Sequence, residues 1–217
     1  MIFVNFKTYE PGIGEAASHL AKICFQVAQA TGVKIWPVVS ATDLGWGKGE
    51  VWVQHVDDID YGPNTGRILP AAVKAGGAVG TILNHSECKL SVPVVRATVV
   101  RCHKLGLKTL VCCESLEEGQ ALVAEAAARP DFLAYEPPEL IGSQTTSVAT
   151  AQPAVIKDFI SQITTLPVLV GAGIHSAEDV QISLKLGAKG ILVASSVVLA
   201  DDPQKELLKL AAVFKNG

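Results

Sequence analysis

Short apolar runs alternate with longer amphipathic stretches along the whole chain, and this alternation constrains the fold more than any other feature. Eight runs are rich in Val, Ile and Leu, and several are apolar at every position, which is typical of strands covered on both faces. The predicted strands are Ile2–Phe6, Lys34–Val39, Val51–Gln54, Val79–Leu83, Lys108–Cys112, Phe132–Tyr135, Pro167–Val170 and Gly190–Val193. The pattern predicts eight βα units around a parallel sheet.

Capping residues and glycines mark the ends of the helices between these strands. Ser176 precedes the predicted helix Ala177–Leu186, Ser91 precedes Val92–Leu105, and a glycine follows each helix. With about 27 residues per unit and no long break at a switch point, the chain favours closure into a (β/α)8 barrel with eight helices over an open doubly wound sheet. We expect a single domain over residues 1–217.

Charge and hydropathy exclude several classes of function. The formal net charge is −3, and no run of Lys or Arg provides a surface for nucleic acid or an acidic membrane. No apolar stretch reaches the roughly 18 residues that a membrane span needs, and Met1–Lys7 lacks the features of a secretory signal. The sequence therefore predicts a cytoplasmic location, with no nucleic-acid or membrane partner.

Neither the cysteines nor the histidines have the spacing of a metal site or a disulfide framework. No C-x-x-C pair occurs, and no histidine stands at ligand spacing from another histidine or a cysteine. We expect no metal, and we interpret the cysteines as reduced packing residues. The five are Cys24, Cys88, Cys102, Cys112 and Cys113.

Polar residues at the strand ends are the candidates for chemistry, because active sites of parallel barrels lie at the carboxyl ends of the strands. Asn5 and Lys7 are two residues apart at the end of the first strand and so share a face. A lysine at the barrel mouth is costly unless an anion pairs with it. Lys7 is therefore either a fixed charge facing substrate oxygens, oriented by Asn5, or an ordinary surface lysine.

Two further strands end in titratable groups. Asn84-His85-Ser86-Glu87 follows the fourth strand and places an imidazole at the mouth, with a carboxylate two residues on. Tyr135-Glu136-Pro137 closes the sixth strand, where the proline biases Glu136 away from helical geometry. Taken alone, each of these is more often a structural or surface residue, but their convergence at one end of the barrel favours a catalytic role.

Small residues follow the last three strands. Gly142, Gly171-Ala172-Gly173 and Ala194-Ser195-Ser196 would let backbone N–H groups approach an anion. Because phosphate sites of barrel enzymes commonly lie after strands seven and eight, these segments predict a phosphate site.

Taken in chain order, four motifs resemble the triosephosphate isomerase family in its short archaeal form, over nearly the whole chain. They are Asn5-Phe6-Lys7, Asn84-His85-Ser86-Glu87, Tyr135-Glu136-Pro137-Pro138-Glu139-Leu140-Ile141-Gly142 and Gly171-Ala172-Gly173-Ile174. The resemblance implies the TIM barrel and the interconversion of dihydroxyacetone phosphate and glyceraldehyde 3-phosphate through an enediolate. That reaction is a step of glycolysis and gluconeogenesis, and the family performs it without metal or cofactor.

Carried over by position, the resemblance implies a role for each motif residue. Glu136 would be the base, His85 the electrophile at the carbonyl, Lys7 the electrostatic clamp and Asn5 its companion, with Glu87 as a supporting carboxylate. The substrate and phosphate positions would be Asn5, Lys7, Ile141, Gly142, Gly173, Ala194 and Ser195.

The resemblance also implies an oligomer and a lid. The segment Asp57–Arg67 resembles the loop that enters a neighbouring subunit in this family, so we expect a homodimer at least, with a tetramer favoured and Thr65 near the partner's site. Pro137–Ala149 resembles the closing lid, although Ser143–Ser147 is one residue longer than usual. Outside the lid, Ser196 stands where the family's archaeal members usually have glycine.

Two alternatives stay open: another phosphate-binding barrel, such as a sugar-phosphate epimerase or an amino-acid-pathway isomerase, and a non-catalytic barrel.

Overall fold

Eight parallel strands close into a barrel in chain order in the computed structural model, which describes residues 1–45, 49–136 and 153–215. Strand β1 pairs with β2 on one side and with β8 on the other, which closes the sheet. The predicted barrel is confirmed, and each predicted strand end lies within one residue of the observed end. The strands are β1 Ile2–Asn5, β2 Ile35–Val39, β3 Trp52–Val53, β4 Gly80–Leu83, β5 Lys108–Cys113, β6 Phe132–Tyr135, β7 Val168–Val170 and β8 Gly190–Val193.

The α-helices surround the barrel, but not one after each strand as predicted. Between β2 and β3 the described residues form only the 3-10 turn Ala41–Asp43, and β8 is followed by two helices. Gly45, Gly47 and Gly49 make an α-helix costly in that connection. The described helices are α1 Gly14–Thr31, α2 Pro70–Ala75, α3 Val92–Lys104, α4 Leu116–Val123, α5 Pro153–Gln162, α6 Ala177–Lys185, α7 Ser195–Val198 and α8 Pro203–Ala212.

The two predicted helix starts differ in how they are capped. Ser176 and Asp179 form a reciprocal capping box at the start of α6, as the sequence pattern indicates. Ser91 is the N-cap residue of α3, but its side chain makes no cap hydrogen bond. Pro93 occupies the first turn there and has no N–H to donate, so one of the usual donors to a capping side chain is missing.

The strands contribute side chains to two apolar layers, because successive side chains of a strand point to opposite faces. The barrel interior is filled at its amino end by four aromatic rings whose centroids lie between 4.8 and 6.0 Å apart. We call this group the aromatic floor, and it consists of Phe3, Trp36, Trp52 and Phe132. The larger outer layer packs the sheet against the helices.

The cysteines are all free, and four of them are buried. Cys112 packs in the barrel interior and its neighbour Cys113 in the outer layer, because adjacent residues of one strand point to opposite faces. The packing interpretation is wrong for Cys88, which is exposed because it lies in the polar segment after β4.

No helix in the described ranges is long and apolar enough to cross a membrane.

Candidate active site

A cavity of about 310 Å³ opens at the carboxyl ends of the strands and gathers most of the predicted site residues. Glu87 does not line it but contacts Lys7 at its edge. Ile141, Gly142 and the lid segment Pro137–Ala149 lie outside the described residues. The predicted residues that line the cavity are Asn5, Lys7, His85, Glu136, Gly173, Ala194 and Ser195.

Strand alternation brings Glu136 into this cavity. Phe132 and Ala134 of β6 face the barrel interior, so the side chain two residues further on faces the same way. The Glu136 N–H donates to the Cys113 carbonyl at 2.8 Å, which extends the β5–β6 pairing to the predicted base. Gly171 lies beside it, and a Cβ at that position would come within 2.8 Å of Glu136 Cγ. A glycine there leaves room for the carboxylate.

The Glu136 carboxylate is buried and incompletely paired. The residue is 5% exposed, and Oε2 has no hydrogen-bond partner in the part of the chain described. Burial raises the pKa of the carboxyl above its ordinary value, against the lowering effect of His85 and of Lys7. A desolvated carboxylate with a raised pKa is a stronger proton acceptor than an exposed one, which suits a general base.

His85 is held in one tautomer by the backbone. Its Nδ1 lies 3.2 Å from the Glu87 backbone N–H, which can only donate, so Nδ1 accepts and carries no proton. The Glu87 carboxylate is further from the same nitrogen, at 3.7 Å, so the backbone bond sets the ring state. The remaining proton is on Nε2, which lies 3.6 Å from Glu136 Oε1 and faces the cavity. This N–H can donate to a carbonyl oxygen bound between the two side chains.

Lys7 is fixed from both sides of its backbone. Its N–H donates to Asn5 Oδ1 at 3.0 Å, and its carbonyl accepts from Gln54 Nε2 at 2.8 Å. The side-chain ammonium donates to Glu87 Oε1 at 2.7 Å. Lys7 has a positive φ of 50°, a conformation that costs a non-glycine residue energy and is often found at functional sites. The half-buried side chain lines the cavity, which does not favour the surface-lysine alternative.

Asn84 also has a positive φ, of 58°, and it organises the segment that carries His85. Its Nδ2 donates to the Cys112 carbonyl at 2.9 Å and to Glu118 Oε1 at 2.8 Å. Its Oδ1 accepts from the Leu90 N–H at 2.8 Å, which closes the turn around residues 84–90. Sequence reasoning assigned no role to Asn84 or to Gln54. Both are amides directly after a strand, and that position is the signal that would have identified them.

Small residues and hydroxyl groups also line the cavity. Gly173 has a φ of 63°, and Ser195 begins α7. The hydroxyl oxygens of Ser86 and Ser196 are buried without a hydrogen-bond partner among the described residues. Both serines line the cavity, so a bound oxyanion or hydroxyl would satisfy them.

No cluster of three or more His, Cys, Asp or Glu side chains that could hold a metal ion occurs within the described ranges.

Comparisons with known proteins agree on one family. The family model described as triosephosphate isomerase matches residues 1–213. Proteins named triosephosphate isomerase from Methanobacterium bryantii and Methanoculleus marisnigri are each 40% identical, with coverage of 98% of this chain and of 96% and 98% of theirs. One from Methanocaldococcus jannaschii is 37% identical over 97% of this chain and 98% of its own.

A solved structure shows the same fold. The crystal structure of triosephosphate isomerase from Bartonella henselae matches with a TM-score of 0.71 at 24% identity, covering 99% of this chain and 98% of the other. These matches favour neither a sugar-phosphate epimerase nor a non-catalytic barrel.

Proposed function

Since the chain belongs to the triosephosphate isomerase family, we propose that it interconverts dihydroxyacetone phosphate and D-glyceraldehyde 3-phosphate with Glu136 as the base. The reaction is an aldose–ketose isomerisation and a step of glycolysis. One observation supports the role of Glu136 most strongly. A buried carboxylate with a raised pKa faces the Nε2–H of His85 across 3.6 Å in a cavity at the barrel mouth.

The proposed steps move one proton between neighbouring carbons. Glu136 removes a proton from the carbon beside the substrate carbonyl, while His85 Nε2–H donates a hydrogen bond to the carbonyl oxygen. The Lys7 ammonium stabilises the negative charge that develops on that oxygen. Glu136 then returns the proton to the adjacent carbon, while the hydroxyl proton of the first carbon passes by way of His85 Nε2 to the former carbonyl oxygen, so that the carbonyl and the hydroxyl exchange places. Asn5 supports Lys7 by accepting its N–H, and Glu87 supports both electrophiles because it contacts Lys7 and His85.

We propose that the substrate phosphate lies against Gly173, Ala194 and Ser195. The positive φ of Gly173 and the small side chains allow close approach of backbone N–H groups to an anion. Ile141 and Gly142 belong to the same proposal by position in the family pattern. The Ser86 and Ser196 hydroxyls offer further polar contacts to the substrate.

A coupled assay on the purified protein tests this function. We expect saturable isomerisation of glyceraldehyde 3-phosphate, competitive inhibition by 2-phosphoglycolate, and no requirement for added metal. The matched control is Glu136→Gln purified in the same way, because any contaminating host isomerase would persist in that sample. Equal activity in both preparations would remove the support for Glu136 as the base.

We further propose a homodimer at least, with a tetramer favoured, in which the segment Asp57–Arg67 approaches the partner's site through Thr65. Tyr61 in this segment is 80% exposed. Near the start of the segment, Asp58 Oδ1 lies 2.9 Å from Arg101 Nε of α3. A large exposed side chain on a braced loop is suited to contact another subunit. Sedimentation at nanomolar concentration tests this, and a fully active monomer would contradict it.

The single-domain organisation of residues 1–217 and the cytoplasmic location stay predictions.

A further inference from the structure

The carboxylate of Glu118 has more partners than a helix cap requires. Ser115 is the N-cap residue of α4 and accepts from the Glu118 N–H at 3.1 Å, so the two residues have the spacing of a capping box. In such a box the acid binds the backbone N–H of the cap residue. Here Glu118 Oε2 accepts from the N–H of Glu114, one residue before the cap, at 2.8 Å. The other carboxylate oxygen binds outside the helix.

Glu118 Oε1 joins the two sides of the turn at residues 84–90. It accepts from Asn84 Nδ2 and from Lys89 Nζ, both at 2.8 Å. Asn84 directly precedes His85, and Lys89 lies four residues after it. The Glu118 side chain is 15% exposed, so water competes little for these bonds. One carboxylate from the neighbouring βα unit thus holds both ends of the segment that carries the predicted electrophile.

The charge of Glu118 specifies how the Asn84 amide is turned. Burial raises the pKa of this carboxyl, but Lys89, the Glu114 N–H and Asn84 together bring it below its ordinary value. Because an ionised carboxylate only accepts, the Asn84 NH2 group faces Glu118, and the amide oxygen then accepts from the Leu90 N–H at 2.8 Å. These bonds hold Asn84 at its φ of 58°, a conformation that costs a non-glycine residue energy.

We propose that Glu118 is a positioning residue for His85 and acts through the Asn84 amide. The turn that Asn84 closes also carries the Glu87 N–H, which binds His85 Nδ1 at 3.2 Å and keeps the ring proton on Nε2. Without the Glu118 carboxylate this turn would relax, and the direction of the ring and the balance of its tautomers would change. The Nε2–H would then no longer point at the substrate carbonyl oxygen.

This role rests on the proposed isomerase function and predicts different effects on binding and on chemistry. The proposed phosphate site at Gly173, Ala194 and Ser195 follows other strands, so substrate binding should survive the loss of the carboxylate. Glu118→Gln keeps the shape, but its NH2 group must face a donor, either the Asn84 amide or the Glu114 N–H. We expect it to lower kcat by about tenfold to a hundredfold and to change KM by less than about threefold.

The state of the His85 ring is a second readout, which a purely structural role of Glu118 would not change. Nitrogen NMR of protein made with isotope-labelled histidine measures it, and the spectrum of His85→Gln assigns the signals. The parent should show Nδ1 without a proton, and Glu118→Gln should show a proton on Nδ1 in part of the molecules. The matched control is Glu117→Gln, the same change of charge at an exposed neighbour on α4, and it should alter neither kcat nor these signals.

Unchanged kcat and unchanged His85 signals in folded Glu118→Gln would overturn the positioning role. A parent protein without isomerase activity would contradict the proposed function instead, and the nitrogen signals of His85 would then decide the positioning role by themselves.

A double-mutant cycle tests whether Glu118 acts through Asn84. Asn84→Gly removes the amide, and glycine adopts the φ of 58° at little cost. Asn84→Gly should lower kcat about as much as Glu118→Gln, and the double variant should be no slower than the slower single variant. Additive losses would contradict the path through Asn84. If Glu118→Gln does not fold, Asn84→Gly still tests the inference, because parental kcat and parental His85 signals in that variant would overturn it.

Discussion

The two ends of the barrel interior are built on the same strands but have opposite character. At the amino end, the aromatic floor packs four rings against one another within 6.0 Å. At the carboxyl end, the interior carries a buried carboxylate without a full set of hydrogen bonds and a lysine in a strained backbone conformation. Trp52 Nε1 in the floor also has no hydrogen-bond partner among the described residues, but it is neutral and so costs less to bury than Glu136.

This contrast indicates that stability and chemistry are separated along the barrel axis. The floor contributes apolar burial and ring packing, which stabilise the fold. The mouth holds charge in a desolvated place, which destabilises the fold but strengthens the electrostatic interactions that catalysis requires. Substitutions at the two ends should therefore affect different measured quantities.

The largest effect is expected for Glu136→Gln at the mouth. Turnover should fall by about a hundredfold to ten-thousandfold, because the amide cannot accept the proton. The melting temperature should rise, since a neutral side chain of the same shape avoids the cost of burying charge. Steady-state kinetics and thermal unfolding measure both changes. Glu117→Gln, at an exposed acid of α4, is the control and should change neither. Near-parental turnover in Glu136→Gln would show that another group is the base.

Trp52→Ala in the floor should produce the opposite result. Removing a fully buried indole should lower the free energy of unfolding by about 3–5 kcal/mol, through lost burial and the cavity left behind. Turnover of the folded fraction should stay near the parental value. Urea unfolding measures the first quantity, and kinetics below the transition measure the second. A large loss of turnover with stability retained would contradict the conclusion that the floor contributes to stability and the mouth to catalysis.

Lys7 separates the effect of charge from that of backbone strain. Lys7→Ala and Lys7→Gly should both lower kcat/KM by about a hundredfold to a thousandfold, because the ammonium is absent in both. Lys7→Gly should be the more stable of the two by about 1 kcal/mol, since glycine adopts a positive φ at little cost. Lys22→Ala, at an exposed lysine of α1, is the activity control. Equal stability of the two Lys7 variants would mean that the φ of 50° carries no strain.

The smallest effect is the pH dependence of stability that Glu136 contributes. Its pKa is raised in the folded state, so the unfolded chain loses its proton first as pH rises. Stability relative to Glu136→Gln should therefore begin to fall near pH 4.5, the ordinary pKa, and level off once the pH exceeds the folded pKa. Urea unfolding of both proteins between acid and neutral pH measures this. The acid limb of kcat/KM should lie above the ordinary glutamate range for the same reason. If the difference in unfolding free energy between the two proteins does not vary with pH, the raised pKa of Glu136 is contradicted.

Local pattern was sufficient for the barrel and for the residues that face its mouth. The eight apolar runs predict the strands because strands buried on both faces must be apolar. Side chains alternate with a period of two, so Asn5 faces the barrel interior as Phe3 does, and Glu136 as Phe132 does. The missing helix after β2 shows the limit of that reasoning. A count of βα units assumed a helix in each connection, although three glycines in residues 45–49 oppose one.

Only the tertiary structure decided which distant groups meet. The Gln54 amide reaches the Lys7 carbonyl from another strand, and the Asn84 amide reaches Glu118 from another βα unit. His55 and Cys88 are 33 positions apart in sequence, yet they lie in contact because β3 and β4 are neighbours in the closed sheet. Hydropathy and turn propensity report the interaction of a residue with its near neighbours and with water. They carry no information about side chains that arrive from distant parts of the chain, and at the barrel mouth such side chains bind the Lys7 carbonyl and the Asn84 amide.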